Sequence, residues 1–557
     1  MDVITLWSIQ EISFTASEDY PNPFLKQDVP LLIATFEHSE SGTRLAVEGF
    51  WDGGKTWRVR FAPNHVGAWN WSASSSDSGL DGISGSFDCI APTSQQIAGN
   101  PNYRGHIKVH VGGRYFIYAD GVPFLWIGDT IWSMNTRRCG LGPDSQGPFY
   151  VWLNDRKAKG FNVVFSEYFE VNQQNEGGYA FPANTHGKGD YDDLNPDYFR
   201  YLDTRVQALW DSGFVLAAHP TWIGKQFPMS PADARRVSRY LMARYGAYNI
   251  VWSLSGEYQY SYHNISPPWK TEDWNELGNA IQYYNAFGHP VSIHPSGRQN
   301  PNDPAGWPVE AHQASSGGEF HHQVWLDHNW LQTGHATERL WRVPFRTAEN
   351  YARTPAKPVI HSEGYYENHR DSGATVSQIR WQAWTTFLNG GAGHGYGGGG
   401  VWQFYDPSDP GGVGKDRRNS PPWSGANWQE ALNYPGAGQM KHVRDFFTSF
   451  HWWSLEPHRD WVNIDGATPN VESLTDPHCA AKPGEVYVIY IPEGNIGKTI
   501  EVHHLNNKTY KARWFSPRDG SSSVINDGRP INTEMIDKWI SPPVKDNEDW
   551  VLMLRAK

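Results

Sequence analysis

The chain has 557 residues, a formal net charge of −12 and only 19 % charged side chains. That length is more than one hydrophobic core supports and predicts about two to four domains. The acidic balance, with no visible basic patch, argues against nucleic acid as a partner, and no apolar run reaches membrane-spanning length. Aromatic residues make up 14 % of the chain, with 28 Trp. Some of these belong in cores, and others suit open platforms for the apolar faces of sugar rings. The three cysteines, Cys89, Cys139 and Cys479, have no disulfide or metal-like spacing. Met1 is followed at once by Asp2 and a strand-like segment, without a basic or apolar leader. Either a cytoplasmic protein or a periplasmic or secreted one whose signal peptide has been removed is therefore expected.

Residues 1–93 read as an N-terminal β-sandwich. Strand-like runs recur at Thr5 to Phe14, Val29 to Phe36, Arg44 to Trp51, Thr56 to Phe61, Gly67 to Ser72 and Gly85 to Ile90, with a hairpin signal at Asp52-Gly53-Gly54. Ala91 to Tyr103 reads as a linker. A hairpin over His106 to Ala119 precedes the first strand of an alternating segment, Pro123 to Thr130. Strands are then predicted at Gly160 to Glu167, Gly213 to Pro220, Asn249 to Tyr258, Pro290 to His294, His321 to Leu326, Lys357 to Glu363 and within Gly395 to Phe404. Helices are predicted between them, at Pro148 to Lys159, from Asn195, at Pro231 to Tyr248, at Asp273 to Phe287 and at Val376 to Asn389. Such alternation over residues 94–450 predicts a (β/α)8 TIM barrel, with its site at the carboxyl ends of the strands. Residues 451–557 return to β-like runs, such as Tyr487 to Ile491 and Trp550 to Leu554, and predict a C-terminal β-sandwich.

The fourth and seventh strands each end in a carboxylate, Glu257 and Glu363. Their positions face each other across a barrel mouth, at the separation of about 5 Å used in retaining glycoside hydrolysis. That chemistry needs two acids in unlike environments, one protonated to serve the leaving oxygen and one ionised to attack the anomeric carbon. Glu257 is assigned as general acid/base and Glu363 as nucleophile. Glu367 is the main rival to Glu363, and Glu167 a weaker one. The candidate substrate contacts are Asp129, Trp132, Glu167, His219, Trp222, His322, Tyr365 and Trp402. No cofactor or metal is predicted, because the first strand ends Gly-Asp-Thr without a His-x-His pair. A non-catalytic carbohydrate-binding barrel and a metal-dependent hydrolase stand as alternatives. The expected partner is an oligosaccharide or polysaccharide.

Three groups of residues carry a family resemblance. Gly49-Phe50-Trp51-Asp52-Gly53 and Arg58 to Pro63 resemble the β-sandwich that often precedes apiosidase-like barrels. Phe124 to Thr130, Asn249 to Tyr258, Trp325-Leu326-Asp327 with Gly334-His335, and Lys357 to Glu363 with Tyr366-Glu367 resemble the apiosidase-like glycoside hydrolase barrel. Trp514 to Gly520 and Trp550-Val551-Leu552 resemble the small β domain labelled collagen-binding in this family. The resemblance implies a retaining hydrolase of plant or algal cell-wall glycans, the apiosidase type removing D-apiose from pectin. There are two departures. Gly256 stands where many retaining barrels place Asn, and Glu257 where the apiosidase type has Asp.

Overall fold

The computed structural model of the chain describes residues 2–20, 22–23, 31–184, 190–225, 227–297, 314–369, 373–408, 426–505, 508–533 and 537–557. The first two residues of the predicted Val29 strand lie outside them. The N-terminal strands form a five-stranded and a three-stranded sheet, packed face to face with the Phe36 and Phe61 rings stacked at 3.8 Å. The predicted Thr5 to Phe14 strand is two strands, Asp2–Thr5 in one sheet and Gln10–Thr15 in the other. Trp7, with φ at 66°, turns the chain between them. The predicted linker contains a short helix, Ser94–Gly99. Thr93 and Gln96 cap it reciprocally, a pattern that reads as polar loop when only composition is weighed.

Eight parallel strands follow: β1 (Trp126–Thr130), β2 (Val163–Glu167), β3 (Val215–His219), β4 (Ile250–Ser253), β5 (Val291–Ser292), β6 (Asn329–Gln332), β7 (Val359–Glu363) and β8 (Gly393–Tyr396). They pair in the order β5-β4-β3-β2-β1-β8-β7-β6. The seam between β5 and β6 is closed by local bonds. Val291 donates to the Asp327 carboxylate and accepts from the Asp327 amide, and Ser292 Oγ donates to the His328 carbonyl. The helices packed outside include α1 (Pro148–Ala158), α2 (Pro196–Asp211), α3 (Pro231–Tyr245), α4 (Thr271–Tyr284), α5 (Arg342–Tyr351), α6 (Val376–Leu388) and α7 (Pro435–Thr448).

Alternation along each strand sends one set of side chains inward. Trp126, Val163, Phe165, Val215, Ala217, Val251, Trp330 and Ile360 fill the barrel, and Phe116 and Phe124 of the preceding hairpin close its amino end. The two large rings on β1 and β2 are accommodated by glycine. A Cβ at Gly393 would lie 2.5 Å from Trp126, and one at Gly128 would lie 2.4 Å from Phe165. The glycine-rich eighth strand is thus the space in which Trp126 and Phe165 sit.

The sixth strand is not where the sequence pattern places it. His321 to Leu326 follows a short helix, Ser316–Phe320, and the strand is Asn329–Gln332. Trp325 packs on Gly278 of α4 and donates to Asn275, so the apolar run covers a helix instead of entering the sheet.

The C-terminal segment forms a seven-stranded and a three-stranded sheet. It is fixed to the barrel by Arg380 of α6, whose Nε and Nη2 donate to Asp549 at 2.7 and 2.8 Å, and by Trp384 stacked on Tyr490. The N-terminal sandwich is fixed by Arg60, which donates to Asp203 of α2 at 2.6 Å, and by Arg239 of α3 paired with Glu48. Among the described residues no helix is long and apolar enough to cross a membrane.

Candidate active site

Glu257 lies four residues beyond β4, in phase with the inward-facing Val251 and Ser253. Its backbone is left-handed, with φ 41° and ψ 54°, a conformation a non-glycine residue holds only when its surroundings enforce it. They do so here. Ser255 Oγ accepts from the Ile223 amide at 3.1 Å, the His294 amide donates to the Ser255 carbonyl at 3.1 Å, and Gly256 donates to Thr221. The ends of β3, β4 and β5 are therefore laced together around the acid. A Cβ at Gly256 would lie 2.4 Å from Trp222 and 2.7 Å from His219. This explains the departure at that position: the space that an Asn side chain would need holds an indole and an imidazole.

Glu257 is 6 % exposed. Its Oε1 accepts from Gln332 Nε2 at 2.8 Å, and its Oε2 is ion-paired with the Lys225 ammonium. Lys225 also lies 4.4 Å above the Trp222 ring. Desolvation in the mouth opposes its charge, and Glu257 and Glu363 overcome that and raise its pKa.

Glu363 reaches the mouth through a β-bulge. Along β6 and β7, Trp330 pairs with Ile360 and Leu331 with His361, but Gln332 pairs with Glu363. Ser362 is the extra residue, and its hydroxyl donates to the Leu331 carbonyl. Without the bulge Glu363 would continue the outward face of His361, which packs against His394 under α6. With it, Glu363 Oε1 lies 3.0 Å from His335 Nε2 and Oε2 lies 3.1 Å from His294 Nε2. Burial alone would raise this carboxyl. The two imidazole donors outweigh it and hold the group well below the ordinary glutamate range. Tyr366 completes the setting: its hydroxyl accepts from Trp132 Nε1 at 3.1 Å and faces Glu363 and Thr130.

Trp132, His219, Trp222 and His294 form one aromatic cluster beside the acids, with ring centroids 4.9–6.2 Å apart. Among the described residues neither nitrogen of the buried His219 has a hydrogen-bond partner, and burial holds its pKa well below the usual value. Trp402 stands on the other side, donating to His369 and packed near Tyr366. Glu167 ends β2 on the inward phase of Phe165 and is buried; its carbonyl accepts from Asn135.

Three predicted contacts are placed elsewhere. Asp129 alternates with the inward Gly128 and Thr130 and points at α1, where Arg156 Nε and Trp152 Nε1 donate to it at 2.7 and 2.8 Å. It is fully buried and binds a helix, not a sugar. His322 is exposed and follows His321, which bonds the Pro355 carbonyl ahead of β7, so the pair sits at the amino end of the barrel. Tyr365 belongs to the outer core, its backbone tied to Gln382 of α6, and the neighbour that enters the mouth is Tyr366. Glu367, the rival acid, accepts from the Gly436 amide at the start of α7 and from the Tyr396 hydroxyl. The residues missed by the site prediction are Lys225, Gln332 and His369. His294, His335 and Tyr366 were visible as strand-end or motif residues, but no role was assigned to them.

A cavity of about 650 Å³ lies between the N-terminal sandwich and helices α1 and α2, away from both acids. Arg60 in it is already paired with Glu11 and Asp203, and Asp211 accepts from Gln207. Among the described residues no group of three or more His, Cys, Asp or Glu side chains is arranged to hold a metal.

The fold is similar to that of solved structures named as glycoside hydrolases. A family 5 glycoside hydrolase from Bacteroides vulgatus ATCC 8482 is 24 % identical over 82 % of this chain and 94 % of its own, with a TM-score of 0.66. A “putative glycoside hydrolase” from the same organism is 19 % identical over the whole of both chains, with a TM-score of 0.73. No curated protein matches the chain. The fold and the family together define a glycoside hydrolase. The chain belongs to the apiosidase-like family: the model described as “Apiosidase-like, catalytic domain” matches residues 110–454. Residues 3–76 match a domain of unknown function, DUF5060, and residues 469–555 match a “Putative collagen-binding domain of a collagenase”.

Proposed function

We propose that this glycosidase is a retaining, exo-acting enzyme on a plant or algal cell-wall glycan, working by double displacement. The observation that carries the proposal is the unlike setting of two acids at one barrel mouth. Glu363 is held as a carboxylate by two imidazole donors, which suits a nucleophile. Glu257 is oriented by Gln332 and has one oxygen turned toward a movable side chain, which suits a group that must give and take a proton. In the first step a Glu363 oxygen bonds to the anomeric carbon, the glycosidic C–O bond breaks, and Glu257 protonates the leaving oxygen. In the second, Glu257 takes a proton from water, the water oxygen bonds to the anomeric carbon, and Glu363 is released.

His219, with both nitrogens free, and the Trp222 indole are suited to bind hydroxyls of the sugar in the mouth. Long loops after β2 and β4 would wall a pocket for a chain end. The family name points to apiose on pectin. Glu257, one methylene longer than Asp, would set the proton donor further out and alter the bond cleaved.

The test is product release from pectic, arabinan and algal oligosaccharides, with the anomeric configuration of the first-formed product followed by NMR. Release of one monosaccharide with retained configuration, lost in Glu363→Gln, is the expected result. Inversion would refute the double displacement, and release of internal fragments would refute exo action. Binding without cleavage would turn both acids into sugar ligands.

A further inference from the structure

The ion pair between Lys225 and Glu257 conflicts with the work proposed for Glu257. A general acid must carry a proton and present it to the glycosidic oxygen. In the structure Gln332 holds Oε1, and the Lys225 ammonium occupies Oε2, the only other oxygen. A carboxylate paired with an ammonium has no proton to give. Lys225 must therefore leave Oε2 when substrate binds, and its charge must then be met by something else. Among the described residues the other carboxylate that acts on it is Glu363, which two histidines already hold.

Lys225 is built to move. It sits on the loop after β3, its side chain is 35 % exposed, and its ammonium lies over the face of Trp222. A long flexible stem carrying a compact charge can swing outward without disturbing the indole beneath it. The mouth also carries cations on the opposite rim, although the chain as a whole is acidic. Arg339 lies over Gly334, next to His335, and Arg342 donates to the Gly297 carbonyl. Both are partly buried, and among the described residues neither has a carboxylate within salt-bridge distance.

We propose that Lys225 is a positioning and specificity residue. It pairs with Glu257 in the free enzyme and transfers to an anionic substituent of the bound glycan, a carboxylate or a sulfate near the scissile bond. Binding of that substituent releases Oε2, which takes up a proton from solvent and becomes the donor. Neutral glycans leave Lys225 on Glu257 and are cleaved slowly. This rests on the hydrolase proposed above and extends it, because it states which substrates switch the acid on.

The test compares acidic oligosaccharides with their own neutral forms: pectic oligosaccharides before and after carboxyl reduction, and sulfated algal oligosaccharides before and after desulfation. Each pair is assayed with the wild type, Lys225→Met and Lys225→Arg. The expected result is a kcat/KM at least tenfold higher for one acidic form than for its neutral counterpart. Lys225→Met should lose that preference, through a raised KM on the acidic form and a raised kcat on the neutral form, whose acid is no longer paired, and Lys225→Arg should keep most of it. The pair that shows the preference identifies carboxylate or sulfate as the source. The preference should shrink at high salt in the wild type, a readout that needs no variant. Equal cleavage of both forms by the wild type would overturn the inference and leave the hydrolase standing. So would a Lys225→Met that loses both forms alike. No cleavage of any member would overturn the hydrolase and this inference with it.

Discussion

Removing His335 should move the acid limb of the pH–rate profile upward without abolishing the reaction. Among the described residues six titratable groups act on Glu363: His219 at the end of β3, Lys225 beyond it, His294 from beyond β5, His335 from beyond β6, His361 within β7 and Tyr366 from beyond it. Burial raises the carboxyl, and the His294 and His335 donors pull it well below its ordinary value. A hydrogen bond to a charged group favours its ionised form, and more so where water cannot take the donor's place. The His335 side chain is 20 % exposed and that of His294 is 0 % exposed. Water can replace the first donor and not the second. Both His335→Ala and His294→Ala should therefore shift the limb upward. The sign is fixed, because the active form is the carboxylate: losing a donor confines it to higher pH. Stability should follow the same linkage. A carboxyl depressed by folding contributes stability above its unfolded value and loses it as pH falls through the folded one, so both variants should show a weaker acid destabilisation. The assay is kcat/KM against pH on an aryl glycoside with a good leaving group, which removes any need for the acid. An unmoved limb with a uniformly lower kcat would refute the assignment of Glu363 as the ionised nucleophile.

Glu363→Gln should lose nearly all activity on every substrate, whereas Glu257→Gln should keep activity on good leaving groups. Full activity of Glu257→Gln on poor leaving groups would refute the acid assignment. Gly256→Ala places a Cβ 2.4 Å from Trp222 and 2.7 Å from His219. It should cost about 1–3 kcal/mol of stability and reduce kcat, as read from thermal melts and initial rates. Asp129→Ala removes one of the two carboxylates paired with the fully buried Arg156, leaving Asp155, and should cost about 1–3 kcal/mol. An Asp129→Ala protein that melts like the wild type but shows a raised KM would restore Asp129 to the substrate site.

The parts of this molecule that repeat were readable from the sequence, and the parts that depend on one residue's direction were not. Apolar runs ending in a polar residue located six of the eight strands, because a strand buried on both faces has little freedom in composition; the glycine-rich eighth, Gly393–Tyr396, starts ahead of the expected Gly395 to Phe404 and shares only its first two residues. The sixth failed for the same reason: Val324-Trp325-Leu326 is as apolar as a strand, but its tryptophan fits over Gly278 of α4. Asp129 failed on phase. It is the penultimate residue of β1, and one step along a strand exchanges mouth for helix. Tyr365 failed in the same way against Tyr366.

Glu363 shows why such phase arguments need care. Strict alternation from the inward Ile360 would send it outward with His361, and only the bulge at Ser362 returns it to the mouth. A motif match carries that bulge implicitly, which is why the seventh-strand acid could be assigned by position although its phase was wrong. Lys225 had no such help. It lies in a loop, and nothing in the sequence around Lys225 distinguishes a solvated lysine from one that closes on an acid. The Gly256 position did carry the signal in indirect form. A glycine before the acid admits Trp222 and His219 against the strand end, and the indole so placed is the surface along which Lys225 reaches Glu257. The missing side chain at Gly256 and the added cation at Lys225 are thus one structural change. Gly256→Asn should displace Trp222, remove the support for Lys225 and lower the advantage of acidic over neutral substrates together with stability. A Gly256→Asn enzyme that kept both would show the two positions to be independent.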